Sequence, residues 1–141
     1  MAKPPIAVTG TTTQRWGRFI LSAGTKHIVA DATAPRGGPG EAFGAGELVM
    51  ASLCSCGLAL VVEAARDHGL PLAEAQIECS YVTDPADRTR MSELLAVLRV
   101  AGVDLAAGQA LLDAFVKVCP IWNTLARSTP HASRVELLQA A

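Results

Sequence analysis

The order of periodic segments predicts an α+β domain: a mainly antiparallel sheet covered by two helices. Three observations carry this. Strand-like runs come in blocks instead of alternating one-for-one with helices, which argues against a parallel α/β sheet. One long helical pattern, residues 47–68, is apolar on nearly every face over its first two-thirds, so it must be surrounded by protein. Half of the 141 residues are hydrophobic against 18% charged, enough apolar material for a core in a single domain spanning 1–141.

The elements follow in order. Residues 5–10 (PIAVTG), 16–22 (WGRFILS) and 26–33 (KHIVADAT) are short runs with Val, Ile, Phe and Thr, and the turn-prone stretch Ser22-Ala23-Gly24-Thr25 separates the last two. They predict a hairpin or meander. Residues 34–46 (APRGGPGEAFGAG) hold five glycines and two prolines, too punctuated for a regular element, and a loop of that length is more often functional than filler. The helix from Glu47 to His68 is closed by Gly69 and Pro71, and its acidic first residue suits the positive end of the helix dipole. Strands are expected over 75–83, where Ala75, Ile77, Cys79 and Tyr81 alternate with polar residues, and over 91–100, joined by Asp84-Pro85-Ala86-Asp87. Asp104 is a natural N-cap for a second helix, Leu105 to Val118. Pro120 interrupts it, and a short helix over 120–127 restarts with Cys119 as N-cap and Pro120 at its first position. A last strand over 134–139 closes the chain.

Several function classes are excluded on general grounds. Twelve Lys and Arg against thirteen Asp and Glu leave no basic surplus for phosphates, so a nucleic-acid partner is not expected. The longest strongly apolar stretch, Leu48 to Val62, is short of the roughly 20 residues of a membrane span, so no membrane association is expected. The start MAKPPIAVTGTTTQ has no apolar segment of the signal-peptide kind, which makes the cytoplasm the expected compartment. There the four cysteines, Cys54, Cys56, Cys79 and Cys119, are expected as thiols, and important only if they are reactive. Closely spaced Cys or His pairs of the zinc-binding kind are absent from the sequence, so no metal and no other cofactor is expected. Cys119-Pro120 has no neighbouring His to support haem, and no G-x-S-x-G elbow supports a serine hydrolase.

Cys56 lies mid-helix in ELVMASLCSCG, where Ala51, Ser52, Ser55 and Gly57 leave room for a reactant to approach. More than two turns from the helix start, it cannot use the dipole to become a thiolate and would need a cation from elsewhere. Arg15 is the candidate, with Arg18 and Arg36 as competitors. The plainer reading of Cys56 is a buried structural thiol. Cys119, at a helix start, has free N–H groups to favour a thiolate. A reversible Cys56–Cys119 disulfide requires the two main helices to lie side by side, with Cα atoms within about 7 Å. Cys54, two residues before Cys56, points roughly 160° away from it on a helix, and Cys79 reads as core.

Taken in order, Arg15-Trp16-Gly17 on an early strand, the loop RGGPGEAFGAG, Glu47-Leu48 with a cysteine nine residues after the Glu, and Cys119-Pro120-Ile121-Trp122-Asn123 resemble the OsmC/Ohr family of osmotically inducible and organic hydroperoxide resistance proteins. The resemblance spans nearly the whole chain. It implies an OsmC-like fold and an intertwined homodimer with enclosed central helices. It also implies a peroxidase cycle: Cys56 attacks an organic hydroperoxide and becomes a sulfenic acid, Cys119 resolves it to a disulfide, and a lipoyl-type dithiol reduces that disulfide. Arg15 would hold the thiolate, Glu47 is the nearest carboxylate to partner it, and Phe43, Leu53, Ile121 and Trp122 would form an apolar substrate pocket.

Two departures mark a divergent member. The family's best-understood peroxidases carry a Glu ten residues before the first cysteine, where this chain has Gly46, and Glu47 is turned from that direction by about 100°. Trp122 stands where a small polar residue is common. The alternatives are a non-catalytic dimer binding an apolar or acyl-like ligand, and a purely structural dimer with inert thiols.

Overall fold

Three short strands open the chain: β1 (Thr9–Thr12), β2 (Arg18–Ala23) and β3 (Lys26–Asp31), in an antiparallel meander of order β1-β2-β3. The computed structural model describes residues 1–139. The chain divides into two compact units, Met1–Val49 and a second beginning at Met50. β1 lies later than the sequence pattern predicts. Pro4 and Pro5 bring no N–H to a ladder, and residues 5–8 are exposed, so pairing starts only at Thr9 opposite Ser22. In the β2–β3 hairpin Ala23 pairs with Lys26, leaving a two-residue loop whose first member, Gly24, has φ 61°, a conformation such hairpin loops require and glycine supplies.

Residues 32–44 form the expected long connection, with one 3₁₀ turn, Ala34–Arg36, inside it. It is fastened to the meander by backbone hydrogen bonds. The Asp31 N–H donates to the Phe43 carbonyl at 3.0 Å, and the Ala32 N–H donates to the Gly17 carbonyl at 2.7 Å. Gly17 has φ 73°, and a Cβ there would lie 2.8 Å from the Gly38 Cα, so glycine is required for the loop to lie this close.

Helix α1 (Ala45–Asp67) starts in the first unit and runs into the second. Its buried residues Met50, Leu53, Gly57, Val61 and Ala65 recur every three to four positions, a single stripe. Gly57 makes the close approach possible: a Cβ there would come within 2.7 Å of Ile77 Cδ1 and 3.2 Å of the Phe115 ring. By length and composition this 23-residue helix could cross a bilayer, a property it shares with the core helices of soluble proteins. That corrects the length argument from the sequence, since the helix extends on both sides of the 15-residue apolar run. It ends where the sequence predicts, with Gly69 at φ 61°.

In the second unit β4 (Glu74–Thr83) pairs antiparallel with β5 (Met91–Ala101), and β5 pairs with β6 (His131–Leu137) in parallel. Among the described residues the strands form two three-stranded sheets instead of one, mainly antiparallel as the sequence predicts, with β5–β6 as the parallel pair. The parallel pairing follows from the crossover: α2 (Leu105–Val118) and α3 (Pro120–Ala126) carry the chain back before β6 begins. β5 is the central strand, and Leu94, Ala96, Val97, Leu98 and Val100 are all buried, as are Leu111, Leu112 and Phe115 of α2. Asp104 caps α2 by accepting the Ala107 N–H at 2.8 Å. A Cβ on Gly108 would meet Val135 at 2.8 Å and Val100 at 2.9 Å, which draws α2 down onto the β5–β6 pair.

Candidate active site

The two cysteines singled out from sequence meet in the second unit. Cys56 on α1 and Cys119 at the break between α2 and α3 have their Sγ atoms 3.0 Å apart, and both are free thiols. Cys119 is fully buried, whereas the Cys56 residue is partly exposed. Local sequence explains the placing of Cys119. Pro120 ends one helix and occupies the first position of the next, and the Cys119 Sγ accepts the Trp122 N–H at 3.4 Å as its cap. Asn123 secures the break by donating from Nδ2 to the carbonyls of Val116 and Cys119, both at 2.9 Å.

Within this unit the electrostatics of Cys56 favour the protonated thiol. Its pKa is pushed up to about 11, first by burial and then by the hydrogen bond and charge of Cys119. Cys54 and Cys79 also lie in this unit. The Cys54 Sγ donates to the Ile77 carbonyl of β4 at 3.4 Å, and burial, followed by the charge of Cys54, pushes the Cys79 thiol well up.

The first unit holds a set of charged side chains that sequence reasoning only half identified. Arg15 donates from Nη1 and Nη2 to the two carboxylate oxygens of Glu41, each at 3.1 Å. Arg18 donates from Nε and Nη2 to Asp31, both at 2.8 Å, and from Nη2 to Glu41 Oε2 at 2.8 Å. Asp31 is a fully buried carboxylate that also accepts the backbone N–H groups of Glu41 and Ala42 at 2.9 Å. The Arg18 guanidinium, followed by those two N–H groups, holds its carboxyl far below the usual carboxylate range despite burial. Arg15 and Arg18 likewise lower the Glu41 carboxyl. Glu47, the carboxylate expected beside Arg15, turns back to accept the Gly44 N–H at 2.7 Å and secures the start of α1.

The four residues expected to line a substrate pocket have different surroundings. Leu53 is fully buried in the core of the second unit, and Phe43 is exposed in the first. Ile121 is half-buried on α3. Trp122 is buried against the Phe115 ring at 5.7 Å and edge-on to His131 at 5.8 Å, and it helps line a groove of about 360 Å³ with Asn123, Arg127 and His131. Among the described residues, no group of three or more His, Cys, Asp or Glu side chains is arranged to hold a metal ion. Asp31 and Glu41 were absent from the sequence expectations, and Asn123 entered them only as the last residue of the Cys119-Pro120-Ile121-Trp122-Asn123 motif. Glu41 carried one signal of its own, as the only charged residue between Arg36 and Glu47.

The chain resembles the OsmC-like protein of Mycoplasma pneumoniae (14% identity, TM-score 0.83, 98% of this chain and 100% of that one). It also resembles the organic hydroperoxide resistance protein OsmC of Legionella pneumophila (18%, 0.71, 96% and 99%) and an organic hydroperoxide resistance protein of Elizabethkingia anophelis (14%, 0.76, 97% and 99%). No curated protein matches the chain at the sequence level. At such identities the structures establish a shared fold. The family model described as OsmC-like protein matches residues 38–134. That segment carries α1, the paired strands β4 and β5, and the two juxtaposed thiols, and with it the chain belongs to the OsmC-like protein family.

Proposed function

We propose that this chain is a thiol-dependent peroxidase that reduces organic hydroperoxides, working as a homodimer in the cytoplasm. The observation that carries the reading is the 3.0 Å separation of the Cys56 and Cys119 sulfurs. Relatives of the same fold bear the name of organic hydroperoxide resistance proteins, which supports the substrate class.

The Cys56 thiolate attacks the distal oxygen of ROOH. The O–O bond breaks, the alkoxide takes a proton and leaves as alcohol, and Cys56 becomes a sulfenic acid. The Cys119 sulfur then attacks Cys56 and expels the oxygen as water, leaving a disulfide. A dithiol of lipoyl type restores both thiols by exchange and is itself oxidised to a cyclic disulfide. Because Cys56's own unit pushes its thiol to about 11, the cycle needs a cation acting on it. Arg15 fills that role in this reading, held by Glu41 in place of the carboxylate missing at Gly46.

The competing reading is a non-catalytic dimer that binds an apolar or acyl-like ligand. The raised Cys56 thiol is the observation in its favour. Stoichiometric cumene hydroperoxide, quenched early in acid and followed by peptide mapping, separates the two. The peroxidase reading expects peroxide to disappear and a Cys56–Cys119 disulfide to form. Cys56→Ser should abolish consumption, and Cys119→Ser should allow one turnover and leave Cys56 open to further oxidation. Persisting peroxide with both thiols still alkylated sinks it.

A further inference from the structure

Where α2 ends, one carbonyl loses its helical partner. In an unbroken helix the Val116 carbonyl would accept the N–H of residue 120, four positions on, but that residue is Pro120 and has no N–H. Asn123 supplies the missing donor from the far side of the break. Its Nδ2 carries two N–H bonds, and it reaches the Val116 and Cys119 carbonyls, each at 2.9 Å. One side chain thus ties the last turn of α2 to the first turn of α3 across a bend of 75°. Cys119 is the residue at that bend. Its Sγ accepts the Trp122 N–H at 3.4 Å and lies 3.0 Å from the Cys56 Sγ. Because Cys119 is fully buried, the direction of its sulfur is set by how α2 and α3 are joined.

Resting on the peroxidase reading above, we infer that Asn123 is a positioning residue for the resolving step: by fixing the join between α2 and α3 it holds the Cys119 sulfur where it captures the Cys56 sulfenic acid before a second hydroperoxide does. In that step the Cys119 thiol gives up its proton, its sulfur bonds to Cys56, the S–O bond breaks, and the oxygen leaves with that proton as water. The sulfurs close from 3.0 Å to a bond of about 2 Å, so the step asks for a movement of about 1 Å. A misplacement of that size costs about 100-fold between groups that must meet in a fixed geometry. Attack of Cys56 on the hydroperoxide does not involve Cys119, so loss of Asn123 slows the second step and spares the first. A sulfenic acid that waits takes an oxygen from a second hydroperoxide, leaving a sulfinic acid on Cys56 and a second molecule of alcohol.

The test compares wild type, Asn123→Leu, Asn123→Ser and Thr124→Ala, each as the full-length, fully reduced protein. Leu has the bulk of Asn and no donor. Ser keeps a hydroxyl that reaches the carbonyl four residues back, here Cys119, but not Val116, so it retains one of the two bonds. Thr124→Ala is the comparator: it removes a different hydrogen bond of α3, from Oγ1 to the Pro120 carbonyl at 2.7 Å, which does not tie α3 to α2. One equivalent of cumene hydroperoxide is mixed in, quenched in acid at intervals and followed by peptide mapping. Peroxide should disappear at the wild-type rate in all four. Disulfide formation should slow by roughly 10- to 100-fold in Asn123→Leu, by less in Asn123→Ser, and not in Thr124→Ala. With excess peroxide, sulfinic acid on Cys56 should rise in the same order. A second readout needs no peroxide: in glutathione redox buffers the Cys56–Cys119 disulfide of Asn123→Leu should be reduced at a less reducing ratio than that of the wild type. Disulfide formation at the wild-type rate in Asn123→Leu overturns the role of Asn123 and leaves the peroxidase intact. Equal slowing of both steps, or slowing shared with Thr124→Ala, also overturns it, because support of the fold alone would do that. Should Asn123→Leu not fold, equal disulfide rates in Asn123→Ser and Thr124→Ala overturn it. A wild type that consumes no peroxide and keeps both thiols free overturns the peroxidase reading and this inference together.

Discussion

Arg15 faces Glu41 squarely, with two guanidinium nitrogens on two carboxylate oxygens at 3.1 Å each. Both side chains are more than half exposed, so the pair adds little to stability, and what it does is orient the guanidinium. Glu47 does the opposite: it fixes a helix start and holds no arginine. Glu41→Gln is therefore expected to leave Tm nearly unchanged while lowering kcat/KM for cumene hydroperoxide by roughly 10- to 100-fold, as displaced positioning groups do. Glu47→Ala is expected to remove a cap and cost about 0.5–2 kcal/mol, visible as a lower Tm. Calorimetry and peroxide kinetics on both variants check this, and the reverse pattern would return the active-site carboxylate to Glu47.

Arg18 and Asp31 form the rigid half of the same cluster. Asp31 is fully buried and its carboxyl is depressed from an ordinary 3.8, so the charged form is the one the fold prefers. A depressed carboxyl contributes stability that is present above its unfolded value and is lost as pH falls below it. Wild-type Tm should drop steeply below about pH 4, whereas Asp31→Asn should start lower at pH 7 and fall less, so that the two curves converge in acid. Glu41, Asp87 and Glu136 are lowered as well, so the difference between the two curves is the quantity to read. A difference that stays constant from pH 7 to pH 2 would contradict the assignment.

Cys56 has the opposite sign. Its thiol is raised from 9.0 to about 11 by burial and by Cys119. A raised group contributes stability that is complete below its unfolded value and is lost as pH rises towards the folded one, here between pH 9 and 11. Cys56→Ser should flatten that alkaline loss. Cys119→Ala removes two of the three raising influences, so the pH midpoint for alkylation of Cys56 by iodoacetamide should fall relative to wild type. An unchanged midpoint would mean that Cys119 does not act on the Cys56 thiol.

Local signals made much of this legible. The Gly69 stop, the Asp104 cap and the Cys119-Pro120 helix restart each depend on a few adjacent residues, and all three stand where the sequence puts them. Pairing across the chain is another matter. That β6 joins β5 in parallel depends on where α2 and α3 deliver the chain, which no residue pattern in β6 encodes. The helix period turns Cys54 away from Cys56, yet it says nothing about which strand lies beneath Cys54, and its 3.4 Å contact with the Ile77 carbonyl is a matter of long-range packing. Glu41 was hidden for a similar reason. A single carboxylate among glycines gives no periodicity, and its arginine lies 26 residues away.

Helix α1 leaves one further relationship to test. Its buried stripe covers one side, while Ser55, Ala59 and Val62 on the other are exposed, Val62 by 56%, on a helix whose best window reaches a mean hydropathy of 2.0. Leaving such a face in water forfeits about 25 cal/mol for each Å² of apolar surface, which a second copy of the same helix would recover. The proposed homodimer therefore predicts sedimentation at twice 14.6 kDa. Val62 is more than half exposed within the chain, so each Val62→Glu subunit should fold as before, but a carboxylate against its symmetry mate should split the dimer and shift sedimentation to 14.6 kDa. A wild type that already sediments as a monomer would leave α1 without its cover. A Val62→Glu dimer would move the interface to another face of the chain.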